Sequence, residues 1–478
     1  MYGLMVDRES DTSLMQQLTA QIREKVLDGS MKSGERLPPS RSLAGELGIA
    51  RNTVIQVYEQ LIAEGYLESR TGSGTYVMDL AGCPACRMEN KSAAEPAKWK
   101  RANTSDNTIR FNPGNPDALH FPVTSWAKYL KEACLGANSA NFGYGPAAGE
   151  WKLRCALVQY LYRSKGISCR LSQIMIIPGM ARGVELMARV LAGVGGVVAV
   201  EDPCIDFIQH ILRLGGNLVH PVPVDRCGMM TDRLPEETDV RLIYTVPSHQ
   251  FPTGAVMHIS RRLQLLDYAR RKDAYIIEDD YDSEYRYESG PIQSLRHLDP
   301  ERVIYMGTFS KILSPALRLG YLIVPTHLSE WLSSAMEHVN LRSAVLEQTA
   351  LAAFIGENLL DRHVYRMKKI YEKKRAHLIQ TLRSAFPGNV TITGENAGLH
   401  VLAIFKGLDF QEADFEVFER HGVEADWAEE YAIVKDRYRN QLVLGYGGLS
   451  LEQISEGVKR LKAAVDEIRQ GRTEEMAV

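Results

Sequence analysis

The sequence predicts an α/β protein in two modules, a small helical one followed by a large one in which strands and helices alternate. Three observations carry that prediction. From about residue 109 onward, apolar strands such as IMIIP (174–178), GVVAVED (196–202), LIYTVP (242–247), AYIIED (274–279) and RVIYMGT (302–308) alternate with helical segments. That alternation implies crossover units on a mainly parallel sheet. Residues 14–78 have a compact, mostly helical pattern instead. Between them, residues 79–108 lack apolar periodicity and are rich in Ala, Asn, Ser, Lys and Glu, as a linker is. The expected domains are therefore 1–78, a linker over 79–108, and 109–478. The last divides into a large part (about 109–325) and a smaller, C-terminal part (about 326–470) holding the strands AGLHVLAIF and QLVLGYG. At 478 residues the chain is long enough for two or three domains.

Composition is that of a globular protein, 45% apolar and 24% charged with a net charge of −3, and signals neither a nucleic-acid nor a membrane partner by itself. The longest uncharged apolar run, VLAGVGGVVAV (190–200), is far below the roughly 20 residues of a membrane span. The acidic N-terminus MYGLMVDRESD has no apolar core of signal-peptide length. Seven scattered cysteines, an odd number, argue against a disulfide framework and for a reducing cytoplasm. Cys83 and Cys86 form a lone CxxC without a second half, so no metal site is expected of them.

The first module is read element by element. LMQQLTAQIREKVLDGSM (14–31) has the spacing of an amphipathic helix. LPPSRSLAGELGI (37–49) offers two prolines, Ser40 as a capping serine and a short helix ending at Gly48. ARNTVIQVYEQLIAEGYL (50–67) is a second amphipathic helix stopped by Gly65. Two helices joined so tightly match a helix-turn-helix, and YLESRTGSGTYV (66–77) adds two short strands around TGSG, a wing. This order resembles the winged helix of GntR-type transcription regulators. Arg51, Asn52 and Thr53 open the second helix, where side chains reach base edges in a major groove. Ser40 and Arg41 lead the first of the pair, and Arg70 with Gly72 forms a wing tip able to approach a phosphate backbone. Residues 1–78 hold 8 Lys and Arg against 10 Asp and Glu, a net of −2, which is unusual for a DNA-binding module. The acids Glu59, Glu64 and Glu68 lie away from the expected contact face.

In the large module, AYIIEDDYDSEY (274–285) runs an apolar strand straight into carboxylates, and GTFSK (307–311) places Lys311 just past another strand. YTVPSHQFPTGAVM (244–257) ends a third strand in a proline-bracketed loop. Ligands of open α/β sheets bind at such carboxyl ends. Any one of these alone is a surface lysine, a solvated acidic turn or a plain turn. In order and together they resemble the pyridoxal phosphate enzymes of aminotransferase fold type I. The resemblance implies that Lys311 forms a Schiff base with the cofactor, that Asp279 pairs with its ring nitrogen and that Tyr281 meets its ring hydroxyl. It further implies that Thr308, Ser310, Arg318 and the backbone of Gly179, Met180 and Ala181 hold the phosphate, together with Tyr144 from a partner subunit.

A GntR-type winged helix ahead of such a domain is the architecture of the MocR/GabR subfamily of bacterial regulators. That resemblance implies a head-to-tail homodimer on an operator in double-stranded DNA. It also implies that a small amine-bearing effector displaces Lys311 as an external aldimine and so alters DNA binding. Three departures limit the carry-over. Ile205 stands where these folds offer a stacking aromatic, Phe207 stands where an arginine is expected, and WAEEYAIV (427–434) lacks the subfamily's effector-carboxylate arginine. Arg437 and Arg439 are the substitutes within reach in sequence. A functional aminotransferase carrying a DNA-binding arm is the alternative reading.

Overall fold

A computed structural model of the chain describes residues 2–10, 12–79, 107–288 and 290–477. Cys83, Cys86 and nearly all of the expected linker lie outside the described residues. The chain divides into two compact units, Met1–Ala102 and Asn103–Val478.

In the first unit α1 (Leu14–Leu27) opens on a capping box in which Ser13 and Gln16 exchange side-chain to backbone hydrogen bonds. It buries Leu18, Ile22 and Val26 against α3 (Arg51–Ala63), which contributes Val54, Val57, Tyr58 and Leu61. Between them α2 (Ser40–Leu47) ends at Gly48, whose φ of 64° is the left-handed conformation a helix stop uses. One expectation is corrected here. The cap position of α2 is Pro39 and Ser40 is the first helical residue, with no side-chain cap. Proline's fixed φ pre-sets the turn into the helix, which frees the Ser40 hydroxyl to accept from Arg51 Nε at 3.3 Å. β1 (Leu67–Arg70) and β2 (Gly74–Val77) pair antiparallel as the wing.

In the second unit a short β3 (Ile109–Arg110) precedes the strands of the main sheet. These are β4 (Ile174–Ile177), β5 (Val197–Asp202), β6 (Leu218–Asp225), β7 (Gly228–Met229), β8 (Val240–Thr245), β9 (Tyr275–Asp280), β10 (Val303–Thr308) and β11 (Gly320–Ile323). Their order across the sheet is β4-β11-β10-β9-β8-β5-β6-β7. The five central strands are parallel, while β11 runs against both neighbours and β7 closes a hairpin on β6. β4, β10 and β11 are buried along their whole length, as near-continuous apolar runs must be when helices cover both faces.

A smaller antiparallel sheet follows, with β12 (Val390–Thr393), β13 (His400–Phe405), β15 (Asp426–Trp427) and β16 (Gln441–Gly445) in the order β12-β13-β16-β15. β14 (Val423–Glu424) pairs instead with β3. The helix Leu359–Ala385 packs Leu378 and Leu382 into the core behind this sheet. Among the described residues no helix is long and apolar enough to cross a membrane.

Candidate cofactor and amine site

The parallel strands end together, so Asp202, Thr245, Asp280 and Thr308 mark one edge of the main sheet. Register does the rest. β9 and β10 align Asp279 with Met306, which carries the chain past Thr308 to Lys311 beside the acids. β11 pairs Gly320 with Thr308 on one side and with Ile177 on the other. Arg318, two residues before Gly320, and Gly179, two after Ile177, are thereby brought together at the ends of neighbouring strands.

Lys311 Nζ donates to the Gly114 carbonyl at 2.5 Å. Burial lowers its pKa, and Asp282 and Asp279 pull it partly back up. A lysine held this way sheds its proton more readily, and the neutral amine is the form that attacks a carbonyl carbon.

Asp279 is 2% exposed and accepts from the Tyr244 hydroxyl at Oδ2, while its Oδ1 has no hydrogen-bond partner among the described residues. Burial pushes its pKa up to about 7. An unpartnered buried carboxylate oxygen is costly, and it calls for a cationic donor such as a pyridinium N–H. Strand alternation sends Asp280 to the opposite face, where Lys165 reaches it at 2.9 Å and Glu284 at 2.8 Å. Of the acidic run EDDYD, Asp279 and Asp282 are thus the two that act on Lys311. Tyr281, also buried, donates its hydroxyl to the His249 carbonyl at 3.2 Å, and His249 Nδ1 lies 2.9 Å from Asp282 Oδ2.

Gly179 (φ 95°) caps the helix Met180–Met187. A Cβ on Gly179 would lie 2.7 Å from Arg318 Nη2, so the guanidinium sits directly over a helix N-terminus. Backbone N–H groups of Met180 and Ala181 with an arginine beside them form an anion cradle. Thr308 is buried and its Oγ1 accepts from Ser310 N at 3.1 Å, which fixes the turn leading to Lys311. Gly179→Ala is expected to raise the Kd for pyridoxal phosphate by about tenfold or more, at a stability cost of about 1–2 kcal/mol. Cofactor titration and chemical denaturation of the variant measure both.

Tyr144 lies apart from this cluster. Its ring is 80% exposed, with the Arg342 guanidinium 5.6 Å from its centroid. Arg437 and Arg439 are exposed, Arg439 is ion-paired with Asp436, and neither hydrogen-bonds to a residue of the Lys311 cluster. Ile205 starts the helix Asp206–Leu214 and Phe207 is 42% exposed. Three residues of the site were not singled out from sequence. Gly114 sits in NPGNPD, Tyr244 in a plain apolar strand and His249 in PSHQFP; only the last is a polar signal in a suggestive loop. His249, Asp282 and His400 also bring one ligand-type atom each within 4.8 Å of one another. His249 and Asp282 bond to each other, while His400 Nε2 faces the Pro252 carbonyl at 3.2 Å and its ring lies 5.1 Å from that of His249.

In the first unit Arg41, Arg51, Asn52, Arg70 and Gly72 are exposed, and Thr53 is half-buried. Glu64 is paired with Arg23 and Glu68 with Arg70, so two of the acids that make this module acidic are already engaged.

Two family models match this chain. Residues 14–77 match the bacterial regulatory proteins of the gntR family, and residues 106–441 match aminotransferase class I and II. Over 96% of its length the chain is 34% identical to the probable rhizopine catabolism regulatory protein MocR of Rhizobium meliloti, covering 95% of that protein. The chain belongs to the MocR subfamily of GntR-type transcription regulators. It is also 32% identical to the pyridoxine biosynthesis regulator PdxR of Corynebacterium glutamicum, over 82% of this chain and 83% of that one. Among solved structures, the multiple substrate aminotransferase of Thermococcus profundus superposes with a TM-score of 0.71 at 28% identity, covering 77% of this chain and 93% of that one. The cofactor of that fold is pyridoxal phosphate, and the residues here fit it: a buried lysine amine, a carboxylate oxygen in need of a donor, and an anion cradle that a Cβ would fill.

Proposed function

We propose that this transcription regulator binds an operator in double-stranded DNA through its winged helix and senses a small primary amine at Lys311. Pyridoxal phosphate would supply an aldehyde carbon that captures primary amines reversibly, with a ring that withdraws electrons. Lys311 Nζ would hold that carbon until a free amine takes its place. Asp279 Oδ1 would accept from the ring nitrogen, and Tyr281 would meet the ring hydroxyl. Arg318, Thr308, Ser310 and the Gly179–Ala181 backbone would hold the phosphate. Tyr144, exposed in one chain, is assigned to the phosphate of the other in a head-to-tail homodimer. The observation that carries the reading is the buried, unpartnered Oδ1 of Asp279 in the same site as a buried lysine of lowered pKa.

The test pairs two measurements on the full chain loaded with pyridoxal phosphate. Visible absorbance follows the cofactor during titration with ethanolamine, glycine, β-alanine and putrescine. Fluorescence anisotropy follows binding to a duplex selected from a random pool. An amine that shifts both signals is the expected result. Absorbance that no amine moves would sink the sensing role. Steady release of an oxo acid or aldehyde at ordinary enzymatic rates would favour the aminotransferase reading.

For the DNA half, Arg51→Ala is expected to cost about 1–3 kcal/mol of specific binding and to relax sequence preference at one position. Arg70→Ala, at the wing, is expected to weaken specific and non-specific duplexes alike and to lower the salt slope by about 1. Anisotropy titrations at several salt concentrations separate the two.

A further inference from the structure

His249 touches two parts of the large unit at once. On one side its Nδ1 faces Asp282 Oδ2 at 2.9 Å and the Tyr281 hydroxyl at 3.3 Å, and its own carbonyl accepts from that hydroxyl at 3.2 Å. On the other side its Nε2 faces the Gly394 carbonyl at 3.4 Å, in the loop that joins β12 to β13 of the smaller sheet. Through its two ring nitrogens the imidazole spans from the tyrosine of the cofactor site to that loop.

The loop is shaped to rest on this imidazole. Gly398 has a φ of 74°, and a Cβ there would run into Asp282 Oδ2 and His249 Cε1. Gly394 has a φ of 75°, and a Cβ on Gly254, beside it, would meet its Cα. The far side is clamped too: the Gly398 carbonyl accepts from the hydroxyls of Tyr287 at 2.7 Å and Tyr446 at 2.5 Å. His400, one residue beyond the loop and first in β13, lies with its ring 5.1 Å from that of His249. Contacts this close leave no slack, so a shift of the imidazole moves the loop.

We infer that His249 is the positioning residue through which occupancy of the amine site reaches the smaller sheet. The inference rests on the sensing role proposed for Lys311 and adds the route. When an amine replaces Lys311, the hydrogen bonding of Tyr281 changes, His249 shares that hydroxyl, and the Gly394–Gly398 loop follows. Differential contact of this kind in two states is what lets a ligand bias a conformation.

The test uses the cofactor-loaded full chain and whichever amine of the four-member panel shifts the wild-type absorbance most. His249→Asn keeps an amide near the Nδ1 position and leaves nothing facing the Gly394 carbonyl, whereas His249→Gln places its amide near the Nε2 position. The cofactor absorbance and its response to the amine are recorded for both variants, and DNA affinities are compared at amine concentrations that saturate that response. In the asparagine variant the ratio of DNA affinities with and without amine is expected to fall to about 1, with partial rescue in the glutamine variant. Hydrogen exchange in residues 394–399 of the wild type, with and without amine, gives a second readout that needs no variant and is expected to change. An asparagine variant that keeps the wild-type affinity ratio, or a loop whose exchange ignores the amine, overturns the role of His249 and leaves the sensing site standing. A wild type whose absorbance ignores every amine overturns the sensing reading itself, and this route with it.

Discussion

Lys311→Ala is expected to abolish the visible absorbance of the Lys311-bound cofactor and every amine-dependent change in DNA binding, while leaving the fold intact. The reason lies in how little else the lysine does. Its one hydrogen bond among the described residues goes to the Gly114 carbonyl, and burial already disfavours its charge. Truncation removes a buried amine whose ionisation is costly, so the apoprotein loses little stability while the amine site loses its reacting group. Absorbance and anisotropy on the same preparation check both halves. A variant that still lets an amine move the DNA affinity would place sensing elsewhere in the molecule.

Asp279→Asn is expected to stabilise the apoprotein and destroy cofactor binding at once. The carboxyl has a pKa of about 7 in the folded chain against an ordinary value of 3.8, because burial penalises its ionised form. Above pH 7 the folded state carries that penalty in full, an upper bound of about 4 kcal/mol. As pH falls from 7 toward 3.8 the folded state takes up a proton that the unfolded state does not, and the penalty fades. The amide is never charged and can still accept from Tyr244. Urea denaturation of the two apoproteins is therefore expected to differ by several kcal/mol at pH 8 and to converge near pH 4. Equal stabilities at pH 8 would show that this carboxylate is not strained by burial. The same substitution leaves an amide facing the ring nitrogen, so the cofactor's electron-withdrawing form loses its support. A residue that weakens the empty fold and is needed by the filled one is what a binding site built for a cation should contain.

Much of this was legible in the residue order. The wing and the three helices described in the first unit fall where glycines, prolines and apolar spacing put them. The strands observed at 174–177, 197–202 and 303–308 lie within the predicted runs, while Val240–Thr245 begins two residues before its run and Tyr275–Asp280 ends one residue after its own. Short edge strands such as Gly228–Met229 and Asp426–Trp427 were not read, because two residues carry no periodicity. The capping role expected of Ser40 went to Pro39, since local chemistry allowed either and backbone geometry chose.

Residue order sets the two-module organisation and the parallel sheet, which follow from period, turn chemistry and spacing along a chain. Lys311, Asp279 and Arg318 are grouped in the sequence only by its resemblance to aminotransferase fold type I. Tertiary structure alone decided the pairings. It turned one face of β9 toward Lys311 and the other toward Lys165, brought Gly179 under Arg318 at the ends of the neighbouring strands β4 and β11, and left Asp279 Oδ1 without a partner among the described residues. It also placed His249 between Tyr281 and Gly394, residues 113 positions apart in the sequence. Burial and sheet register are sums over residues distant in the chain, and no local pattern encodes them.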